Sequence, residues 1–365
     1  MHPRTLARSR IAAQRIGGVK PDLPEEVVHR LGAVQAQDYL GALWAVGLRM
    51  NGARERDIEA AIARKGIVRS WPMRGTLHFV AAGDLRWMLM HLSPRVIARA
   101  APRFRAVGLD EPVFARSRRA LGNALLREKV LTRDEAMKAL NRARISTEGQ
   151  RGIYIVWRLA QEGLVCFGPR KGKQHTFVLL DEWLPGGVSL TRDEALATLA
   201  RRYIAGHGPA TSRDFAWWSG LPLGEAEHAL ELAQPRLRRT AAGRDACWVS
   251  DSNSSPKVHA NVAVLLPAFD EYLVGYRDRS AMLDPGYAAK VNAGGGLLSP
   301  VIVMDGRVIG TWKRTLGRNR VEIRTFPLAR FSGRQQRAIA AAARSYASFI
   351  GVPAVSTVEE PAKTR

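Results

Sequence analysis

Gln35 and Gln37 stand two residues apart in the stretch VQAQDYLGALW, and the carboxylate of Asp38 comes next. Each amide offers a carbonyl that accepts and an NH2 that donates, so a convergent pair can hold a water and steady a developing positive charge. Neither amide is a strong base, which leaves Asp38 as the nearest group able to assist with a proton. Convergence depends on the backbone. In a helix, side chains at i and i+2 point about 200° apart, whereas in an extended or bent segment they share a side. Val27, Val28, Leu31 and Val34 keep one helical phase, and Leu40, Leu43, Trp44 and Gly47 keep another. Continuing the first phase would bury Asp38 and Gly41, so the helix must break between Val34 and Leu40, with Asp38 as cap of the second helix. The bland alternative is a pair of ordinary boundary glutamines in a turn.

Other groups could carry charge or contact a ligand. Asp270 and Glu271 follow an apolar run in LLPAFDEYLVGYRDRS and could either supply catalytic charge or pair with Arg277 and Arg279 to hold a turn. Arg74, Thr76 and His78 alternate in RGTLHFV, as residues facing one side of a strand do, although a lone histidine more often has a structural role. The stretch MDGRVIGTWKRTLGRNR combines a tight turn with Arg307, Lys313, Arg314, Arg318 and Arg320, a pattern suited to phosphate contact or to insertion of a hairpin into a groove. Its alternative is a solvated sheet face. Trp71, Trp217, Trp218 and Trp312 are read as core residues.

The elements that must position these groups follow a repeated order. Residues 111–129, 131–140 and 147–163 read as three helices, with Thr132 and Glu135 at capping-box spacing, and LVCFG and HTFVLL then flank the basic tip PRKGKQ. Three helices and a two-stranded wing make a winged helix-turn-helix. The order recurs over 191–250, where Thr211 and Asp214 echo the capping, and more loosely over the first hundred residues, with Asp22 and Glu25 as a further box and 66–80 as the wing. The expected fold class is α+β: tandem winged helices at 1–105, 106–186 and 187–255, a small β-rich domain at 256–352 with a closing helix, and a disordered tail at 353–365.

Bulk composition narrows the function. Lys and Arg number 56 against 33 Asp and Glu, a net charge of +23. Because the excess is mostly arginine, whose planar fork suits phosphate and base edges, a polyanion is the expected partner. Hydrophobic residues make up 46% without any run long enough to span a bilayer, and no apolar segment follows the basic N-terminus as in a secretory signal, so a cytoplasmic, nucleoid-associated protein is expected, with no membrane partner. Cys166 and Cys247 have no disulfide or zinc spacing. A monomer on double-stranded DNA, with no metal or organic cofactor, is expected.

The segments VQAQDYLGALWAVGLR, SWPMRGTLHFV, LLPAFDEYLVGYRDRS and LLSPVIVMDGRVIGTWKR, in this order, resemble the winged-helix DNA glycosylases of the AlkZ and YcaQ type over nearly the whole chain. That resemblance implies hydrolysis of the N-glycosidic bond of alkylated purines, including bases in interstrand crosslinks. It also implies a catalytic Gln-x-Gln in one branch and Gln-x-Asp in another; Gln35-Ala36-Gln37 is similar to the first. The chemistry is compatible, since an N7- or N3-alkylated purine already carries positive charge and departs without a general acid. Gln35, Gln37 and Asp38 are the expected catalytic residues. Arg74, Thr76, His78, Arg277, Arg279, Arg307, Lys313, Arg314 and Arg318 are the expected DNA contacts. The competing function is a non-enzymatic winged-helix regulator, which would prefer one short site over random duplex; RNA binding lacks stacking platforms.

Overall fold

The computed structural model describes residues 1–242, 245–251, 260–294 and 297–360. The chain is an α+β protein that divides into two compact units, one of residues 1–58 with 196–365 and the other of residues 59–195. The boundary expected near 255, and the last five residues, lie outside the described part.

The larger unit is built on a five-stranded sheet. Its strands run in the order Ala354–Glu359, Arg320–Pro327, Arg307–Leu316, Val301–Met304, Ala263–Leu266. The first pair is parallel and the rest are antiparallel. The residues 354–359 were expected to be disordered; instead they add an edge strand, with Val355 and Thr357 opposite Val321 and Ile323. Asp305 and Gly306 both take positive φ, 51° and 85°, as a tight hairpin turn requires. Helix Gly333–Ile350 opens with Ser332 and Gln335 in a capping box and buries Ile339, Ala343, Tyr346 and Phe349. Against it lies helix Tyr39–Gly47, where the ring of Phe349 comes so close that a Cβ on Gly47 would fall 2.2 Å from it. Trp44 fixes this helix by donating from Nε1 to the carbonyl of Leu265 at 2.6 Å and packing edge-on to Tyr346.

Helices Arg192–His207, Ser212–Ser219 and Leu223–Leu232 are followed by the strand pair Leu237–Ala242 and Asp245–Ser250. The capping box of Thr211 and Asp214 is formed. That of Asp22 and Glu25 is not: Pro24 occupies the first turn of helix Pro24–Leu31, so Leu23 becomes the N-cap and Asp22 instead accepts from Asn51. Trp218 is fully buried as expected, but its neighbour Trp217 is 49% exposed, with the Arg279 guanidinium 5.9 Å over its ring.

In the smaller unit, helices Glu111–Glu128, Arg133–Arg142 and Arg151–Gln161 precede the hairpin Val165–Lys171 and Gln174–Leu179. Thr132 caps the second of them with Glu135 in the reciprocal arrangement. Phe104, Phe114, Leu140, Ile155, Leu159 and Phe177 fill the core between helices and sheet. The other hairpin, Ile67–Met73 with Thr76–Ala81, joins the same sheet, with Arg69 opposite Phe167 and its guanidinium 4.7 Å over that ring. The two expected wings are thus neighbours in one sheet.

Candidate active site

The helix breaks as the phase change requires, but earlier than the expected Val34–Leu40 interval, because Gly32 ends it. Helix Pro24–Leu31 stops at Gly32, whose φ of +77° is accessible to glycine and whose missing Cβ leaves room for Trp218, 3.1 Å from where that atom would stand. Val34 and Gln35 then form a short strand. Asp38 is the N-cap of helix Tyr39–Gly47 and accepts from the amide of Gly41 at 3.1 Å. Between strand and cap the two amides meet: Gln35 Nε2 donates to Gln37 Oε1 at 2.6 Å. Gln35 is 8% exposed, whereas Gln37 is open to solvent. With its carbonyl engaged, the NH2 of Gln37 is the outward donor of the pair.

On the solvent side, Asp38 is half-buried, and Arg314 Nη2 lies 3.9 Å from its carboxylate. Arg314 also donates from Nη1 to the phenol of Tyr346 at 2.7 Å, and burial pushes that phenol up to about 12 even though the neighbouring guanidinium pulls the other way. A carboxylate and a guanidinium therefore sit together at the cap that follows the exposed Gln37.

Behind the strand lies a buried polar cluster. Glu271 is completely buried; its Oε1 accepts from the backbone N–H of Gln35 at 2.9 Å, and its Oε2 accepts from Trp218 Nε1 at 2.9 Å. His207, also fully buried, places Nε2 3.3 Å from the same Oε2 and Nδ1 3.2 Å from the carbonyl of Tyr203. His207 thus bridges the Glu271 carboxylate and the Tyr203 carbonyl through its two ring nitrogens. Gln14 donates to the Glu271 carbonyl at 3.1 Å. Tyr276 donates to the carbonyl of His207 at 2.7 Å, and burial raises its phenol well above the usual range, which keeps it a donor. Asp270 makes a bidentate pair with Arg49 at 2.8 and 2.9 Å.

This arrangement corrects the expected pairing of Asp270 and Glu271 with Arg277 and Arg279. The exposed Arg277 instead gives its backbone N–H to Asp214 at 2.9 Å. Arg279 turns inward to the Leu273 carbonyl at 2.7 Å, and burial lowers its pKa. The local acids were already committed to Arg49, Gln35 and Trp218, which no spacing rule connects to them. Trp218, His207, Gln14 and Arg49 are the residues that sequence reasoning missed.

The basic strands also resolve into two ends. Arg307 lies half-buried at the Asp305–Gly306 turn, which is packed on the N-terminal helix Pro3–Ala13: Tyr272 donates to the Gly306 carbonyl at 2.8 Å, and a Cβ on Gly306 would approach Ala7 to 2.9 Å. That turn is not an exposed tip. The exposed one is at 317–319, about 30 Å along the strand at ~3.3 Å per residue. Lys313, Arg318 and Arg320 are exposed there, beside Leu316 at 52%. In the smaller unit, Arg74 sits in the turn with positive φ rather than in the strand, and its Nη2 is 3.1 Å from His78 Nε2. His78 is fully buried and its Nδ1 meets the Thr76 carbonyl at 2.8 Å.

Among the described residues, no group of three or more His, Cys, Asp or Glu is placed to hold a metal ion, and no helix is long and apolar enough to cross a membrane.

Fold and motif together place the chain in a known class: residues 28–349 match the family described as DNA glycosylase AlkZ-like, and the chain belongs to it. It is similar to an interstrand DNA cross-link repair glycosylase of Streptomyces sahachiroi, at 28% identity over 314 residues, which cover 79% of this chain and 81% of that protein. The solved structure of Streptomyces sahachiroi DNA glycosylase AlkZ has the same fold, with a TM-score of 0.78 at 24% identity over 98% of this chain and 99% of that one.

Proposed function

We propose that this chain is a monofunctional DNA glycosylase that hydrolyses the N-glycosidic bond of cationic N7- or N3-alkylated purines in duplex DNA, bulky and crosslinked adducts included. The observation that carries this is the contact between Gln35 and Gln37 at an exposed helix break. One amide anchors the other: the Gln37 NH2 holds water by donating to it, and the second lone pair of the Gln37 carbonyl steadies an oxocarbenium-like sugar while the charged base leaves unaided. Asp38, the next residue and only half-buried, is the carboxylate assigned to orient that water. Exposure of Gln37 favours a surface-borne site, which admits adducts too bulky to be flipped through a narrow opening. The helix, helix, helix and hairpin order of residues 111–179 and 192–250 supports reading both as winged helices that bind duplex.

The test is base release from duplexes carrying N7-alkylguanine or N3-methyladenine. Abasic sites should form well above the spontaneous rate. No release on any cationic lesion, together with tight binding to one short sequence, would establish the regulator instead. The exposed hairpin is assigned to phosphate contact, with Leu316 entering the groove. Lys313→Ala with Arg318→Ala should therefore weaken binding equally on unrelated duplexes and reduce the slope of log K against log salt by about 2, at ~0.9 for each phosphate no longer neutralised. An unchanged slope in a salt titration would remove the hairpin from the interface.

A further inference from the structure

We infer that Glu271 is a positioning residue for the glutamine pair: its buried carboxylate fixes the backbone of Gln35, and Trp218 and His207 fix the carboxylate. This rests on the proposed glycosylase function. The strand that presents Gln35 is two residues long, too short to hold a side chain by ladder bonds alone. What adds to the ladder is the 2.9 Å bond from the Gln35 N–H to Glu271 Oε1. That oxygen is in turn set by the other one, which takes the Trp218 indole at 2.9 Å and faces His207 at 3.3 Å. Trp218 acts a second time, since its ring packs where a Cβ of Gly32 would be and so holds the turn that leads into the strand. Gln14 holds the Glu271 backbone at 3.1 Å. Every one of these side chains is completely buried, so the cluster touches no substrate and acts on the site through the Gln35 backbone. A bond between an ionised acceptor and a backbone N–H inside a protein is short and directional, which makes it suited to holding an amide within the tolerance that catalysis needs.

Hydrogen-bonding capacity separates positioning from packing. Glu271→Gln preserves shape but turns one carboxylate oxygen into an NH2, so either the Gln35 N–H or the Trp218 indole N–H faces a donor. The single-turnover rate of base release should fall by up to about 100-fold, the scale of a misplaced reacting group, with duplex affinity unchanged. Trp218→Phe in the same chain removes the competing donor. The new amide can then accept from Gln35 and donate to His207 Nε2 in the tautomer that keeps its proton on Nδ1, and the rate should recover by about tenfold over Glu271→Gln although the double variant packs less well. A purely structural role predicts the opposite order, with the double variant slower than either single one.

A further readout is independent of activity. The Gln35 backbone amide should resist hydrogen exchange in the wild type and lose that protection in Glu271→Ala. Wild-type rate in Glu271→Gln, a double variant no faster than it, or an unprotected Gln35 amide in the wild type would each overturn the positioning role. A wild-type chain that releases no alkylated base removes the proposed function itself, and the assignment to catalysis falls with it; the first three results leave that function standing.

Discussion

Gln37→Ala is expected to reduce release of N7-alkylguanine by about 10²- to 10³-fold, the scale of removing one pre-oriented polar group from beside the reacting atoms, while leaving stability within about 0.5 kcal/mol. The side chain is exposed and contributes no core packing, so the two effects should separate cleanly. Gln35→Ala should impair catalysis comparably, yet also cost some stability because that side chain is largely buried. If the amides act as one unit joined by their 2.6 Å bond, the double variant will be little slower than the worse single one. Asp38→Asn isolates the neighbouring carboxylate. Asparagine caps a helix about as well as aspartate, so the bond to Gly41 survives while the charge is lost. A large drop in that variant assigns the carboxylate to the water; an unchanged rate confines Asp38 to capping. Because amides do not titrate, the wild-type rate should be flat between about pH 6 and 9. Single-turnover kinetics across this pH range, with unfolding by urea in parallel, would check all of these. Full activity in Gln37→Ala would end the catalytic assignment of the pair.

What could be read from the sequence is what depends on neighbours in the chain. The break before Leu40 followed from two apolar phases within twenty residues, and the boxes of Thr132 with Glu135 and Thr211 with Asp214 from a spacing of three. The turn at Asp305–Gly306 is equally local. Even here a single residue can override the pattern, as Pro24 did when it displaced Asp22 from the cap. What could not be read is the company each polar residue keeps across the fold. Gln35 and Glu271 are 236 residues apart, and Arg49 and Asp270 are 221 apart. Nothing in the composition near Arg277 and Arg279 shows that Asp270 is already taken. Nor does alternation along Thr76–His78 reveal that the ring is buried. The hairpin at 165–179 read clearly as a strand pair and that at 67–81 more loosely; their junction rests on contacts between segments a hundred residues apart.

The largest loss of stability is expected from Arg49→Met. Arg49 is fully buried, and all five of its N–H donors are used: two on Asp270, two on the carbonyls of Gln14 and Ala45, and one on the Gln14 side chain. Removing the guanidinium leaves the Asp270 charge without its partner in a dry interior, a cost of about 3–5 kcal/mol. Arg49→Lys is no remedy, because an ammonium has three donors and no planar fork to match the carboxylate. Asp270→Asn should cost less, since its carbonyl can still accept from the Tyr272 N–H that Asp270 takes at 2.9 Å, and a guanidinium faces a neutral amide rather than nothing. Replacing both partners by apolar residues of similar volume should recover part of the loss, as a buried pair is often close to neutral against hydrophobic packing. Urea unfolding of the four variants gives the order, and a cost under about 1 kcal/mol for Arg49→Met would contradict it. The consequence reaches the site, because Asp270 adjoins Glu271, and Gln14 binds both Arg49 and the Glu271 backbone. The folded fraction of Arg49→Met should therefore also release base more slowly, and the apolar double variant, if it regains stability without regaining rate, would show that the ion pair serves the placement of Gln35 more than the strength of the fold.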